Sequence, residues 1–341
     1  VNRSVPDNAV ELERLSKRFS IRTMRENGAR RRAVQKEILA VDGIDLVIRR
    51  GELFGLLGPN GAGKTTTIRM LCTLLIPTSG RARVWGFDVA EQADEVRRRL
   101  GVVLAGERSI YWKLTARENL EYFAALYQVP RDLARPRIAD LLERVGLTAR
   151  ADDLVERYST GMRQRLALIK AMVHDPPVLL LDEPTTGLDP QAARNIRDLI
   201  RHLHHSEGKT IILTTHYMEE ADQLSERIGI IDQGRIIALD SPQALKRSLG
   251  QGSVLRFELV GGKDDLEGSL RTIPGVHTVT VERPADDGTR ELILHLNDPG
   301  AALPRALDAI SRGGGQVRHL QMEETSLEDV FIALTGRRLR D

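Results

Sequence analysis

The eight residues GPNGAGKT, Gly58 to Thr65, constrain this chain more than any other stretch. They follow a short apolar run, LFGLLG, and lead into KTTTIRMLCTLL, whose apolar residues Ile68, Leu71, Cys72 and Leu75 recur at helical spacing. A short apolar run ending in glycine reads as a buried parallel strand, and Pro77 stops the helix that follows. In a strand–loop–helix setting, G-x-x-x-x-G-K-[ST] curls successive backbone N–H groups around a phosphate, and the helix dipole strengthens the field there. Gly58, Pro59, Asn60, Gly61, Ala62 and Gly63 would form that cradle. Lys64 would bridge the β- and γ-phosphates of a nucleotide, the Thr65 hydroxyl would ligate Mg²⁺, and Thr66 would reach the α-phosphate.

The surrounding rhythm fits such a loop. Through the first ~240 residues strand-like and helix-like segments alternate, which implies a mostly parallel sheet with helices packed on it. VLLL (178–181) and KTIILTTH (209–216) read as further buried strands, and IGIIDQGRIIAL as a hairpin turning at Gln233-Gly234. Thr115 and Glu118 form a capping-box pattern, and helical periodicity continues to Val173. Residues 106–173 are therefore expected to be a helical subdomain inserted into the α/β unit. After Gly250 the order becomes β-α-β-β-α-β, a small ferredoxin-like α+β domain on 250–341. LGQGS would link it to a nucleotide-binding domain on 1–249. This second domain lacks the aromatic stacking pair of RNA-binding versions, so no nucleic-acid partner is expected there.

Composition narrows the setting. The 341 residues are 41% hydrophobic and 29% charged, enough for ordinary cores under a solvated surface. The net charge of +2 argues neither for nor against a polyanionic partner. The single cysteine, Cys72, excludes an internal disulfide, suits a reducing compartment and reads as a buried apolar residue. No apolar run approaches the ~18 residues needed to span a bilayer.

Two acids end the second buried strand in VLLLDEP. Asp182 would hold Mg²⁺, and Glu183 would face the γ-phosphate and polarise an attacking water. A helix cap is the competing role, but Pro184 and a turn follow instead of a helix. His216 ends the third strand, where ligands collect in sheets of this kind, and is assigned a hydrogen bond to the γ-phosphate. His202, His204 and His205 end an amphipathic helix without convergent donors, so a solvated helix end is expected there. YSTGMRQRLAL, from Tyr158, raises a separate question. Ser159 and Thr160 at cap positions, Gly161 and a following helix also make an anion site.

The ordered set GPNGAGKTT, YSTGMRQR, LLLDEP, TGLD and TTH resembles the nucleotide-binding subunit of an ATP-binding cassette transporter, over about two-thirds of the chain. That resemblance implies an ATPase working as a head-to-tail dimer, homodimeric or with a paired cassette, with ATP and Mg²⁺ as cofactors. It places the protein on the cytoplasmic face of the cell membrane, against an integral membrane permease. In the family the signature loop, here YSTGM for the usual LSGGQ, contacts ATP across the dimer. Ser159 and Gly161 would then grip the γ-phosphate held by Lys64 of another subunit, since one phosphate cannot occupy two separated helix ends of one chain. Asp189 in TGLDP resembles the loop linking the two sites, and also reads as a helix N-cap.

Some positions depart from the family. Thr160 and Met162 replace its Gly and Gln. After LGVVL, where the family carries a Gln, the text is AGERSIYWKLT. Glu107 is the nearest substitute, a good Mg²⁺ ligand but repulsive to phosphate without metal. Tyr111 and Trp112 beside it suit either permease docking or subdomain packing. The adenine-stacking aromatic is best matched by Phe19 in LSKRF. The enlarged segment after it carries Arg22, Arg25, Arg30, Arg31, Arg32 and Lys36, and reads as a solvated basic loop or as a contact for anionic lipid or an acidic permease loop.

The ending SLEDVFIALTGR resembles antibiotic-resistance exporter subunits of the daunorubicin type, which implies export of a drug, lipid or glycan. The C-terminal domain is expected to stabilise or regulate the dimer. The alternative is a soluble cassette ATPase acting on ribosomes or DNA. Such proteins usually carry two cassettes, or coiled-coil or zinc insertions, and this chain has one cassette, one Cys and no long heptad run. A silent binding module is disfavoured because Lys64, Asp182, Glu183 and His216 are all present.

Overall fold

The computed structural model describes residues 7–27, 30–104, 110–248, 253–261, 266–281, 289–296 and 299–336. The chain divides into two compact units, Val1–Ile237 and Ala238–Asp341. The first opens with an antiparallel pair, β1 (Asn8–Asn27) and β2 (Arg30–Arg49). It continues through β3 (Leu53–Leu57), α1 (Lys64–Leu71), β4 (Ser79–Val84), β5 (Phe87–Asp88), α2 (Ala93–Arg99) and β6 (Leu100–Val103). Three helices follow: α3 (Ala116–Leu126), α4 (Arg131–Arg144) and α5 (Thr160–Met172). Alternation then resumes with β7 (Val178–Asp182), α6 (Pro190–His205), β8 (Thr210–Thr215), α7 (Met218–Leu224), β9 (Arg227–Asp232) and β10 (Arg235–Asp240).

Every residue of β3, β7 and β8 is buried, as strands covered on both faces require. They lie side by side, parallel, within the order β10-β9-β3-β8-β7-β6. Their period of two feeds two cores. Leu179, Leu181, Ile211 and Leu213 pack with the α3–α6 helices, while Val178, Leu180, Ile212 and Phe54 pack with α1 and the N-terminal strands. A second, antiparallel sheet, β2-β1-β4-β5, was not among the expected elements. Cys72 is buried, as expected. No helix of the described residues is long and apolar enough to cross a membrane.

Two expectations for the first unit are corrected. The basic segment after Phe19 is not a loop: the β1–β2 ladder runs unbroken from Arg18↔Leu39 to Asn27↔Arg30. Asn27-Gly28, a strong hairpin dipeptide, was the signal for it. The histidine-rich end of α6 is not wholly solvated either. His202 and His205 are exposed, but His204 is buried beside Leu203, with Nε2 3.4 Å from Glu226. The reason is that the last turn of α6 still faces the sheet.

Where α5 ends, His174 stacks on Tyr127 with ring centroids 3.7 Å apart, and its Nε2–H donates to the Leu100 carbonyl at 3.1 Å. Burial holds its pKa down at about 4. The folded chain thus resists a proton that the unfolded chain accepts near pH 6.5. Stability should therefore fall as pH drops from about 6.5 to about 4, by up to about 3 kcal/mol. Urea titrations at pH 7 and pH 5 check this, and His174→Gln should flatten the difference.

The second unit holds α8 (Pro242–Ser248), β11 (Ser253–Gly261), α9 (Leu266–Arg271), β12 (Val276–Val281), β13 (Thr289–Leu296), α10 (Pro299–Arg312), β14 (Gly315–Glu324) and α11 (Leu327–Thr335). Its antiparallel sheet has the order β12-β13-β11-β14, the ferredoxin-like arrangement read from the sequence. Leu255, Phe257 and Leu259 of β11 point to the core shared with α9 and α10. On the opposite face Ile332 of α11 packs on Val254 and Ile293, and Arg256 pairs with the buried Asp329 and with Glu291. Helix α8, placed by the sequence with the first domain, packs against α11 inside this second unit.

Candidate functional site

The residues singled out on chemical grounds lie at the C-terminal ends of the three central parallel strands. Register explains why: Leu57 of β3 lies opposite Thr215 of β8, and Asp182 of β7 opposite Thr214. The loop after β3, the acids after β7 and the histidine after β8 therefore emerge together. Sequence separations of more than a hundred residues collapse into one crevice.

The loop from Gly58 to Gly63 is shaped by close approach. A Cβ at Gly58 would lie 2.2 Å from the Ile231 carbonyl oxygen, and one at Gly63 (φ 112°) 2.6 Å from that of Ala40. Only glycine fits either place. The turn at Gln233-Gly234 braces the loop from below, because Gly234 N–H donates to the Ala62 carbonyl at 2.8 Å. The sequence showed that turn but not its task.

Lys64 is 4% exposed. Its ammonium donates to the carbonyls of Gly58 (2.7 Å) and Pro59 (3.1 Å) and lies 3.7 Å from Glu183 Oε1. Burial lowers its pKa, against the opposing pull of Glu183 and Asp182. A desolvated cation at a loop of N–H donors is an electrostatic clamp for phosphate oxygens.

The Thr65 hydroxyl sits 3.1 Å from Asp182 Oδ2. Asp182 is buried and also accepts from the Thr214 hydroxyl. Two hard oxygen donors thus meet at the loop's edge, with no sulfur or imidazole between them. That set suits Mg²⁺, which takes one or two protein oxygens and completes its shell with phosphate and water.

Glu183 has a left-handed backbone, φ 50°. Its N–H donates to Thr214 O and Oγ1, both at 3.1 Å, which holds that uncommon conformation. The carboxylate is then shared. Oε1 lies 3.1 Å from His216 Nδ1, and Oε2 accepts from the Thr186 hydroxyl at 3.2 Å. Lys64, Glu183 and His216 form one linked cluster, an acid–base pair beside a phosphate clamp. Thr214 was not singled out from the sequence, although a hydroxyl inside a fully buried strand was the available signal. Behind it, Thr185 donates at 2.7 Å to buried Glu220 of α7, whose pKa burial raises.

Ser159 is the N-cap of α5, accepting from Met162 N–H at 3.2 Å, and Asp189 is the N-cap of α6, accepting from Ala192 N–H at 2.9 Å. The two caps are neighbours, since a Cβ on Gly161 would lie 3.0 Å from Ala192 Cβ. Gln164 ties α5 to the segment after β7 by donating to the Pro184 carbonyl at 2.9 Å. Ser159 and Thr160 are exposed.

Phe19 lies on β1 opposite Ile38, two residues before the Ala40 that abuts Gly63, with Lys17 Nζ 5.4 Å from its ring centroid. Glu107 lies outside the described residues. Tyr111 and Trp112 are 49% and 39% exposed. Tyr111 meets Tyr122 edge-on at 5.1 Å, and the Arg163 guanidinium stands 5.0 Å from the Trp112 ring.

The family described as "ABC transporter" matches residues 41–186, and that described as "ATP-binding protein DrrA1-3-like, C-terminal domain" matches residues 241–335. The daunorubicin/doxorubicin resistance ATP-binding protein DrrA of Streptomyces peucetius is 44% identical over 87% of this chain and 88% of its own length. The Nod factor export ATP-binding protein I of Ralstonia nicotianae is 40% identical over 92% of this chain and 94% of its own. Among solved structures, a dimeric post-hydrolysis state of the ATP-binding cassette MJ0796 bound to ADP and Pi superposes with a TM-score of 0.58 at 27% identity. It covers 68% of this chain and 98% of that one.

Proposed function

The chain belongs to the ABC transporter family as an ATP-hydrolysing subunit that powers export through a separate permease, and from that premise we propose its cargo class, its metal and the way two copies share nucleotide. The cargo is a drug, lipid or glycan; the names of two similar proteins point to daunorubicin/doxorubicin resistance and to Nod factor export. The carrying observation is the Lys64–Glu183–His216 cluster at the mouth of a glycine loop, beside the Thr65–Asp182 oxygen pair.

The site residues then divide the work. Backbone N–H groups from Asn60 to Thr66 cradle the β-phosphate, and Lys64 exchanges its carbonyl partners for β- and γ-oxygens. Thr65 and Asp182 would hold Mg²⁺, which would supply neutralising charge to the phosphates. Glu183 orients and deprotonates the attacking water, and His216, fastened to Glu183, steadies the γ-phosphate. Phe19 stacks on the adenine from the strand next to the loop. Ser159 and Gly161, whose local contacts are with α5 and α6, serve the nucleotide of the opposite copy, and Asp189 links the two sites through α6. Closure of the pair moves the permease, and product release reopens it. Tyr111 and Trp112 supply an aromatic docking patch for that permease at the cytoplasmic face.

The test is capture from native membranes. Tagged chain should bring down an integral membrane protein, and the reconstituted pair should move an amphiphilic drug, lipid or glycan only when ATP is present. Capture of ribosomes or DNA, with ATP turnover stimulated by nucleic acid alone, would reject this reading for the soluble alternative.

A further inference from the structure

Strand β14 is ten residues long and, among the described residues, pairs on one side only, with β11. A long edge strand without proline offers its free N–H and C=O groups as a template for another strand. Its central sequence is Arg318-His319-Leu320-Gln321-Met322-Glu323-Glu324. Read outward from Gln321, each apolar residue meets an apolar counterpart and each basic residue an acidic one. Antiparallel pairing of this segment with itself puts residues whose numbers sum to 642 opposite each other. Gln321 then faces Gln321, Leu320 faces Met322, His319 faces Glu323 and Arg318 faces Glu324, every pair but the first occurring twice. Shifting the register by two residues would put unlike partners together and lose these matches.

The strand's surroundings agree. Met322 is 63% exposed although its cross-strand neighbour Leu255 belongs to the core, so a large apolar side chain waits at the rim. Val317 is 36% exposed on the same strand. Among the described residues Arg318 pairs with Glu258, at 3.8 Å with both side chains largely in solvent, a pair too weak to hold it. The opposite edge, β12, is six residues long.

We propose that β14 docks β14 of a second copy of this chain, antiparallel about Gln321, joining two C-terminal four-stranded sheets into one of eight. That the occupant is a second copy rests on the reading that two chains close around ATP; the register rests on the strand's own pattern of apolar and charged residues. Such a contact would keep two subunits tethered while the nucleotide sites open and close.

Cross-linking through one introduced cysteine in the full chain tests it, because the native Cys72 is buried. Directly opposed residues lie about 4.5–5.5 Å apart at Cα, within reach of a disulfide. Gln321→Cys should form an oxidant-dependent covalent dimer, whereas Val317→Cys, displaced by about 27 Å along the paired strands, should not. Arg318→Glu should reduce the Gln321→Cys dimer about fivefold or more, and adding Glu324→Arg should restore it. Cross-linking at both cysteine positions or at neither, or failure of the double reversal to rescue, overturns the proposal. ATP-dependent dimerisation of Glu183→Gln is scored separately. A nucleotide-trapped dimer without Gln321 cross-linking would sink the strand pairing and spare the ATP clasp, and the reverse result would do the opposite.

Discussion

Glu183→Gln lowers steady-state ATP turnover by a factor of about 10²–10⁴, the usual worth of a positioned general base. It leaves ATP binding intact and accumulates a stable dimer on gel filtration in the presence of ATP. Glutamine keeps the size of the side chain and can still bond His216, which stands 3.1 Å from Oε1, and Thr186, 3.2 Å from Oε2. It also keeps the backbone N–H bond to Thr214 that aims residue 183. What it removes is the proton acceptor. With Lys64 freed from a carboxylate 3.7 Å away, nucleotide affinity should hold or rise. Phosphate release measures the first effect and elution volume the second. Turnover above about a tenth of the native rate would show that another group activates the water.

The second large effect is complementation between two inactive chains. Lys64→Ala removes the clamp on the phosphates, and Gly161→Asp puts a like charge at the cap meant for a neighbour's γ-phosphate. Each variant alone should hydrolyse ATP at less than about a hundredth of the native rate. Mixed in equal amounts, half the dimers are hybrids with one intact site, the loop from one chain and the cap from the other. Activity should then recover to about a quarter of native, if sites act independently. A clasp within one chain predicts no recovery. A Cβ at Gly161 would lie 3.0 Å from Ala192 Cβ, so α6 must give by a few tenths of an ångström, and an unchanged circular dichroism spectrum of the variant checks that the fold is kept.

Legibility followed the range of the forces involved. The glycine loop, the paired acids and the three buried strands could be read directly, because each is dictated by neighbours a few residues away. A nucleotide phosphate needs consecutive N–H groups, and a strand covered on both faces needs a continuous apolar run. Capping signals were equally local: Ser159, Thr115 and Asp189 all cap the helices expected of them. The pairing of the basic segment after Phe19 was less legible, because its dense charge reads as a solvated loop and only the Asn27-Gly28 dipeptide signals a hairpin. His204 escaped because one helix face can stay buried into its last turn.

By itself, then, the amino-acid order determined what the chemistry needs: a phosphate cradle, a metal-binding oxygen pair, a base and a histidine, each at the end of a strand. Only tertiary structure decided that these ends meet, through the parallel register of β3, β8 and β7 that sets Asp182 beside Thr214 and Leu57 beside Thr215. It alone recruited Thr214, the Gly234 turn and Glu220, whose types are unremarkable in sequence. It alone wrapped β1 and β4 into a second sheet from segments some 70 residues apart. The physical reason is that hydrogen-bond register and close packing between distant segments are cooperative properties of the folded chain, and no local pattern encodes which partner a strand will find.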